Sequence, residues 1–222
     1  VKLAIYTANF GGIDTFHTLA DLPKSDLYDR VLFTDDQTCR WRANELADHV
    51  FVVPPQANPR LQAKAFKCQL HSLQHHVSIW VDSSAVIPDG EALVRMALEH
   101  LPFGLWAHPD RTNIYDELKL SETLPKYQDQ VQEMKDMVAD YERYGFPVHR
   151  GPLYASGVIV RDHRDPVVNA AIARWWREIT HWGVTQDQLS LPVALEDVSV
   201  STFPQNLWTN DWVQWAGHNH QR

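Results

Sequence analysis

The chain reads as an α/β protein with a mostly parallel central sheet flanked by helices. Three observations carry that expectation. Apolar runs of strand length recur from one end of the chain to the other, segments of helical periodicity lie between them, and one run, Ser78-Ile79-Trp80-Val81, is β-branched and apolar enough for a strand covered on both faces. The strand-like runs fall at residues 2–6, 30–34, 49–53, 77–82, 103–107 and 157–161. Val131, Met134, Val138 and Tyr141 repeat at helical spacing, and that pattern stops at Gly145-Phe146-Pro147. A second helix starts near Pro166, carries Val168, Ile172, Trp175, Ile179 and Trp182 on one face, and stops at Gly183. With 222 residues and neither repeats nor a low-complexity tract, one domain is expected over the whole chain.

Composition narrows the function classes. A net charge of -8 argues against broad attraction to nucleic acid, which is disfavoured as a partner although a local basic patch is compatible with it. The apolar runs are too short to span a bilayer, and no secretory leader is visible ahead of Val1. Cys39 and Cys68 lack metal-type spacing and do not suggest a disulfide framework, which favours a cytoplasmic protein. Nine Trp residues are many for this length, and Trp175, Trp176, Trp182, Trp208, Trp212 and Trp215 crowd the last quarter. Such rings stack on sugars and bases, but more often they fill cores.

The chemistry-bearing residues follow the strands. Asp82 ends the run that begins at Ser78, and Ser84 follows two residues on. In open α/β sheets ligands bind beyond the carboxyl ends of strands, where such an oxygen pair suits a divalent cation or a ribose hydroxyl; a simple turn cap is the alternative. Arg60, Lys64, Lys67 and His71 are spaced to lie within an arc of about 60° on a helix. That stripe suits a diphosphate, or it is a solvated face. Thr7-Ala8-Asn9-Phe10-Gly11-Gly12 reads as a small polar loop that lets backbone approach a ligand, without the spacing of a dinucleotide or P-loop motif. Asp35 and Asp36 follow the second strand and suit a ribose, a base or a helix start. Asp187, in Gln186-Asp187-Gln188, either orients a sugar hydroxyl or places charge at a helix N-terminus, and His218 and His220 are either late metal ligands or a frayed tail.

Taken in order, Tyr6 to Gly12, Phe33 to Asp36, Arg60 to His71, Ser78 to Asp82, His108-Pro109-Asp110-Arg111, Gly145-Phe146-Pro147, Ser156 to Arg161 and Asp187-Gln188-Leu189-Ser190 resemble the TOD/MUCI-type glycosyltransferase-like family. The resemblance covers nearly the whole chain. It implies a single GT-A-like domain similar in layout to glycogenin-like transferases, and a nucleotide-sugar donor, UDP-sugar favoured, across the strand ends. By that resemblance Thr7, Ala8 and Asn9 line the nucleotide pocket; the residues themselves suggest Asp35, Arg60, Lys64 and Lys67 as further donor contacts, and Arg111 as a donor or acceptor contact. Asp82 and Ser84 stand where the family's Asp-x-Asp motif holds ribose and metal. Ser156 and Gly157 border the donor sugar, Asp187 and Gln188 lie near the reacting carbon, and His218 or His220 completes the shell of a Mn²⁺ or Mg²⁺ ion. Ser84 replaces the second acid of that motif, so the cation stripe can take over part of the metal's charge.

The expected activity is therefore sugar transfer from a nucleotide-diphosphate sugar to an acceptor hydroxyl of unspecified identity, with retention by likeness to glycogenin-like enzymes. The alternatives are a nucleotidyltransferase, which usually opens on a basic phosphate loop that residues 7–12 lack, and a non-catalytic nucleotide-sugar or carbohydrate-binding domain.

Overall fold

The first strand shows why the sheet forms. All seven residues of β1 (Leu3–Asn9) are buried, and their faces alternate. Leu3 and Ile5 pack into one apolar cluster, while Ala4, Tyr6 and Ala8 pack into another. A strand with two apolar faces is stable only between two layers, and both are present. The computed structural model describes residues 2–14, 17–68 and 73–215. Along the chain β1 is followed by α1 (His17–Ala20), β2 (Tyr28–Thr34), a 3₁₀ turn at Gln37–Arg40, α2 (Ala43–Leu46), β3 (His49–Val52) and α3 (Pro59–Cys68). Next come β4 (Val77–Val81), β5 (Ala85–Val86), α4 (Gly90–Glu99), β6 (Phe103–Ala107) and α5 (Ile114–Ser121). A 3₁₀ segment at Pro125–Gln130 leads into α6 (Val131–Arg143), β7 (Tyr154–Asp162), α7 (Pro166–Trp182), α8 (Leu191–Ala194), β8 (Ser201–Thr202) and β9 (Gln214–Trp215).

Among the described residues seven strands form one sheet in the order β3-β2-β1-β4-β7-β6-β8, and β5 pairs with β9 in a small second sheet. Pairing is parallel from β3 through β4 and between β6 and β8; β7 alone runs against its neighbours. This is the expected α/β architecture, consistent with a single GT-A-like domain. Residues from α4 cover one face of the sheet with Leu93, Val94, Met96 and Ala97. The other face is covered by α7, through Val168, Ala171, Ile172, Trp175 and Ile179, and by α3. The ends of α7 are those the sequence marks. Asp165 caps α7 by accepting from the Val167 and Val168 N–H groups, Pro166 occupies its first turn, and Gly183 ends it with a φ of 66°. A third cluster joins α5, the 3₁₀ segment and α6 through Ile114, Leu118, Tyr127, Met134, Met137 and Val138. These elements form a helical cap inserted between β6 and β7.

Three expectations change. Thr7, Ala8 and Asn9 belong to β1 rather than to a loop, because β2 extends far enough to pair with them at Leu32, Phe33 and Thr34. The helix expected to open at Gln186 begins later, at Leu191. The strand expected at 157–161 is the longer, reversed β7, and its pairing with β6 is irregular. β7 passes from Val160 to Ala155 while β6 passes only from Gly104 to Trp106. Residues 156–159 of β7 therefore stand opposite a single residue of β6, an irregularity of the kind that re-aims side chains next to sites.

Arg30 braces the sheet edge. Its guanidinium donates to Asp48 Oδ2 at 3.2 Å and Oδ1 at 3.1 Å, and to the Leu19 and Leu22 carbonyls. Burial alone would raise the Asp48 pKa, but Arg30 brings it below the ordinary value. Replacing Arg30 with Met should cost about 3 kcal/mol, because it strands a half-buried carboxylate. Urea unfolding at pH 7 measures that cost. The deficit should shrink as pH falls below about 4, where the carboxylate of the variant is neutralised.

Candidate functional site

The carboxyl ends of β1 and β4 and the first residues of the reversed β7 meet around a cavity of about 440 Å³. The reversal of β7 is what brings Ser156 and Gly157 to this edge: the Asp82 N–H donates to the Gly157 carbonyl at 2.8 Å. Ala8 and Asn9 line the cavity from β1, Arg60 and Lys64 from α3, Asp82 and Ser84 from the β4 end, and Ser156, Gly157, Asp187 and Gln188 from the opposite strand and the turn after α7. Lys67 and Thr7 lie beneath this lining and are buried. Asn9 closes its own loop, donating to the Asp14 carbonyl at 2.6 Å and accepting from the Asp14 N–H at 3.3 Å.

At the floor sits Asp187, only 2% exposed. A buried carboxylate costs several kcal/mol unless it is paired. Here its Oδ2 is 2.8 Å from Lys64 Nζ and 2.9 Å from Lys67 Nζ, and its Oδ1 accepts from the Ser156 hydroxyl at 3.3 Å. The backbone carbonyl of Asp187 accepts from Trp175 Nε1 at 2.9 Å, which locks the turn onto α7. Lys64 and Lys67 are three apart on α3, so one helical face delivers both ammonium groups. Burial would raise the Asp187 pKa, yet the two lysines hold it well below the carboxylate range. Burial would lower Lys64, and Asp187 and Asp82 instead raise it. The stripe that sequence alone left open between ligand site and solvated face divides: Lys67 is internal, with a side chain 1% exposed, while Arg60 and Lys64 reach the cavity. A carboxylate this firmly ionised is a weak proton acceptor at neutral pH.

Asp82 stands beside this group. Its Oδ1 accepts from Trp80 Nε1 at 2.6 Å and lies 3.5 Å from Lys67 Nζ. Its side chain is 34% exposed, on the cavity side with Ser84. The two supply hard oxygen donors, but among the described residues no three His, Cys, Asp or Glu side chains gather to hold a metal ion. His218 and His220, and His71 of the stripe, lie outside the described residues.

The helical cap closes another side. Arg111 bonds Glu117, Gln186 Nε2 donates to Glu117 Oε1, and Tyr127 donates to Gln186 Oε1 at 3.2 Å. Burial pushes the Tyr127 hydroxyl up to about 12. Burial and the adjoining Arg111 push His108 down to about 4, so it is neutral at pH 7. Gln188 donates to the Tyr154 carbonyl at 3.0 Å. Asp35 does not line the cavity: both its oxygens accept from the Gly11 N–H at 3.1 Å, which ties the loop after β1 to the end of β2. Sequence reasoning missed Lys126 and Tyr127, whose 3₁₀ segment has no periodic signal, and also the packing of Trp215 on Gly157. A Cβ at Gly157 would fall 2.3 Å from the Trp215 ring.

A family model described as TOD1/MUCI70, glycosyltransferase-like domain, matches residues 3–213. No curated protein gives a significant match to the chain.

Two variants probe this geometry. Asp187→Asn leaves two ammonium groups without their counter-charge and should cost about 3–5 kcal/mol in urea unfolding at pH 7. Since the folded pKa is depressed, that contribution is present above roughly pH 4 and fades below it, so the deficit should narrow in acid. Gly157→Ala should cost about 1–3 kcal/mol through overpacking, and the cost should fall in a Trp215→Leu background, as a double-mutant cycle would reveal.

Proposed function

Because the chain belongs to the TOD1/MUCI70 glycosyltransferase-like family over residues 3–213, we propose that it transfers a sugar from a nucleotide-diphosphate sugar to an acceptor hydroxyl. The observation that carries this is the buried Lys64–Asp187–Lys67 group beside Asp82 and Ser156, at the floor of a cavity beyond the strand ends. Bond breaking between the anomeric carbon and the phosphate oxygen leaves negative charge on the departing diphosphate. Cations already fixed in place stabilise that charge without reorganising. The nucleotide, a uridine in the favoured form, lies along Ala8 and Asn9, and the donor sugar against Ser156, Gly157 and Gln188.

Asp187 acts by holding Lys64 and Lys67 in place rather than by taking a proton. That suits the retaining outcome: the acceptor oxygen bonds the anomeric carbon on the face the diphosphate leaves, and its proton passes to the departing phosphate oxygen. Asp82 and Ser84 are the described residues that would hold a Mn²⁺ or Mg²⁺ ion, which would add Lewis-acid charge at the same diphosphate.

A thermal-shift panel of UDP, GDP, CDP and their sugar conjugates, each with Mn²⁺, Mg²⁺ or EDTA, tests this. A ligand at a hundred times its Kd should stabilise by about 2.7 kcal/mol, a shift of roughly 5 °C or more for a chain of this size. Release of the nucleoside diphosphate with the same conjugate should follow, and Asp82→Ala should weaken both. Binding without turnover on a panel of hydroxyl acceptors would favour the non-catalytic binding domain, and no shift with any nucleotide would count against the donor.

A further inference from the structure

Charge balance around the cavity separates its cations into two groups. At the floor, two carboxylates, Asp82 and Asp187, face two ammonium groups, Lys64 and Lys67. On the cap, Arg111 is bonded to Glu117. Asp14, on the loop after β1, accepts from the Ser83 hydroxyl at 2.5 Å. Arg60 and Lys126 differ: both line the cavity, and among the described residues neither makes an ion pair.

These two cations are nevertheless held together. Arg60 Nη1 donates to the Lys126 backbone carbonyl at 2.9 Å, which joins the start of α3 to the 3₁₀ segment of the cap. The Lys126 ammonium lies 4.7 Å from the centroid of the Tyr127 ring, whose hydroxyl is fixed on Gln186. Like charges placed side by side repel: burial, Lys64 and Arg60 lower the Lys126 pKa, and the weaker pull of Asp187 and Glu117 offsets them only in part. An anion received between them would relieve that repulsion. The start of a ten-residue helix faces the same space through Pro59 and Arg60, and its partial positive charge adds in the same sense.

We propose that Arg60 and Lys126 form a diphosphate-binding subsite spanning α3 and the helical cap. The ligand is a pyrophosphate-type dianion, whether free or within a nucleoside diphosphate. The subsite rests on the donor chemistry of the preceding section but makes a separate claim. Lys64 and Lys67 are paired with Asp187 and stabilise the departing charge from the floor, whereas Arg60 and Lys126 form no ion pair among the described residues, so these two are the cations that first capture the diphosphate. The side chain of Lys126 is the cleaner probe, since the Arg60 contact uses its backbone carbonyl.

Calorimetric titration of the full chain with inorganic pyrophosphate, UDP and uridine, in EDTA, tests the subsite. Lys126→Ala should weaken pyrophosphate and UDP about tenfold or more, as loss of a charge-assisted contact does, while uridine is unaffected. Lys126→Arg should retain most of the affinity, and added NaCl should weaken the wild type more than Lys126→Ala. Thermal unfolding confirms that each variant is folded. Wild-type affinity for pyrophosphate and UDP in Lys126→Ala and in Arg60→Ala would overturn the subsite, as would a wild type that binds neither anion. Pyrophosphate binding that is lost in Lys126→Ala, with no binding of any nucleotide-sugar, would keep the subsite and remove the donor.

Discussion

The contact of Asp187 with Lys64 and Lys67 sets the terms for everything around it. An aspartate 2% exposed and a lysine of which 1% of the side chain reaches solvent cannot be left singly in an apolar layer. Each is tolerable because the other is there, and because Ser156 and Trp175 supply further hydrogen bonds. The group therefore fixes three parts of the chain relative to one another: the inner face of α3, the bulged start of β7 and the turn after α7. These parts make the floor of the cavity. The same pairing holds the Asp187 pKa well below the carboxylate range.

The single reversed strand is what lets a mostly parallel sheet build that floor. Parallel strands bring only their carboxyl ends to the ligand edge, so a strand running the other way contributes its first residues instead. β7 does so with Ser156 and Gly157, which line the cavity where its register with β6 shifts. The small side there has a second use. Trp215, on the strand β9 that pairs with β5 just after Ser84, sits where a Cβ of residue 157 would be. The end of the described chain thus packs back over Gly157, near the start of β7. The cap side adds polar walls through Arg111 and Tyr127, with Gln186 from the turn after α7 beside them and Glu117 buried behind, where it bonds both Arg111 and Gln186.

Much of this is visible without coordinates. A run such as Ser78 to Val81 must be covered on both faces, and that places Asp82 at a strand end in a sheet where ligands gather. Lys64 and Lys67 share a helical face by spacing alone, and Pro166 and Gly183 bound a helix by their backbone preferences. Other features left no local trace. Nothing near residues 154–162 says that the strand runs backwards, because apolar runs look the same in either direction. Asp35 resembles a ligand residue until its oxygens are found on the Gly11 N–H. Lys126 follows a proline in an aperiodic segment and gains meaning only beside Arg60.

The sequence by itself determined the α/β class, the places of the six longer strands, the ends of α7, the position of Asp82 and the family likeness. All of these depend on periodicity, capping and motif order, which act over a few residues or simply along the chain. Tertiary structure alone decided the direction of β7, the burial of Lys67, the pairing of Asp187 with lysines more than a hundred residues away, and the contact of Arg60 with the Lys126 carbonyl, two cations that form no ion pair among the described residues. The reason is physical. Charge pairing and desolvation depend on distances of a few ångströms between remote segments, and only the packing of the whole sheet and its cap sets those distances.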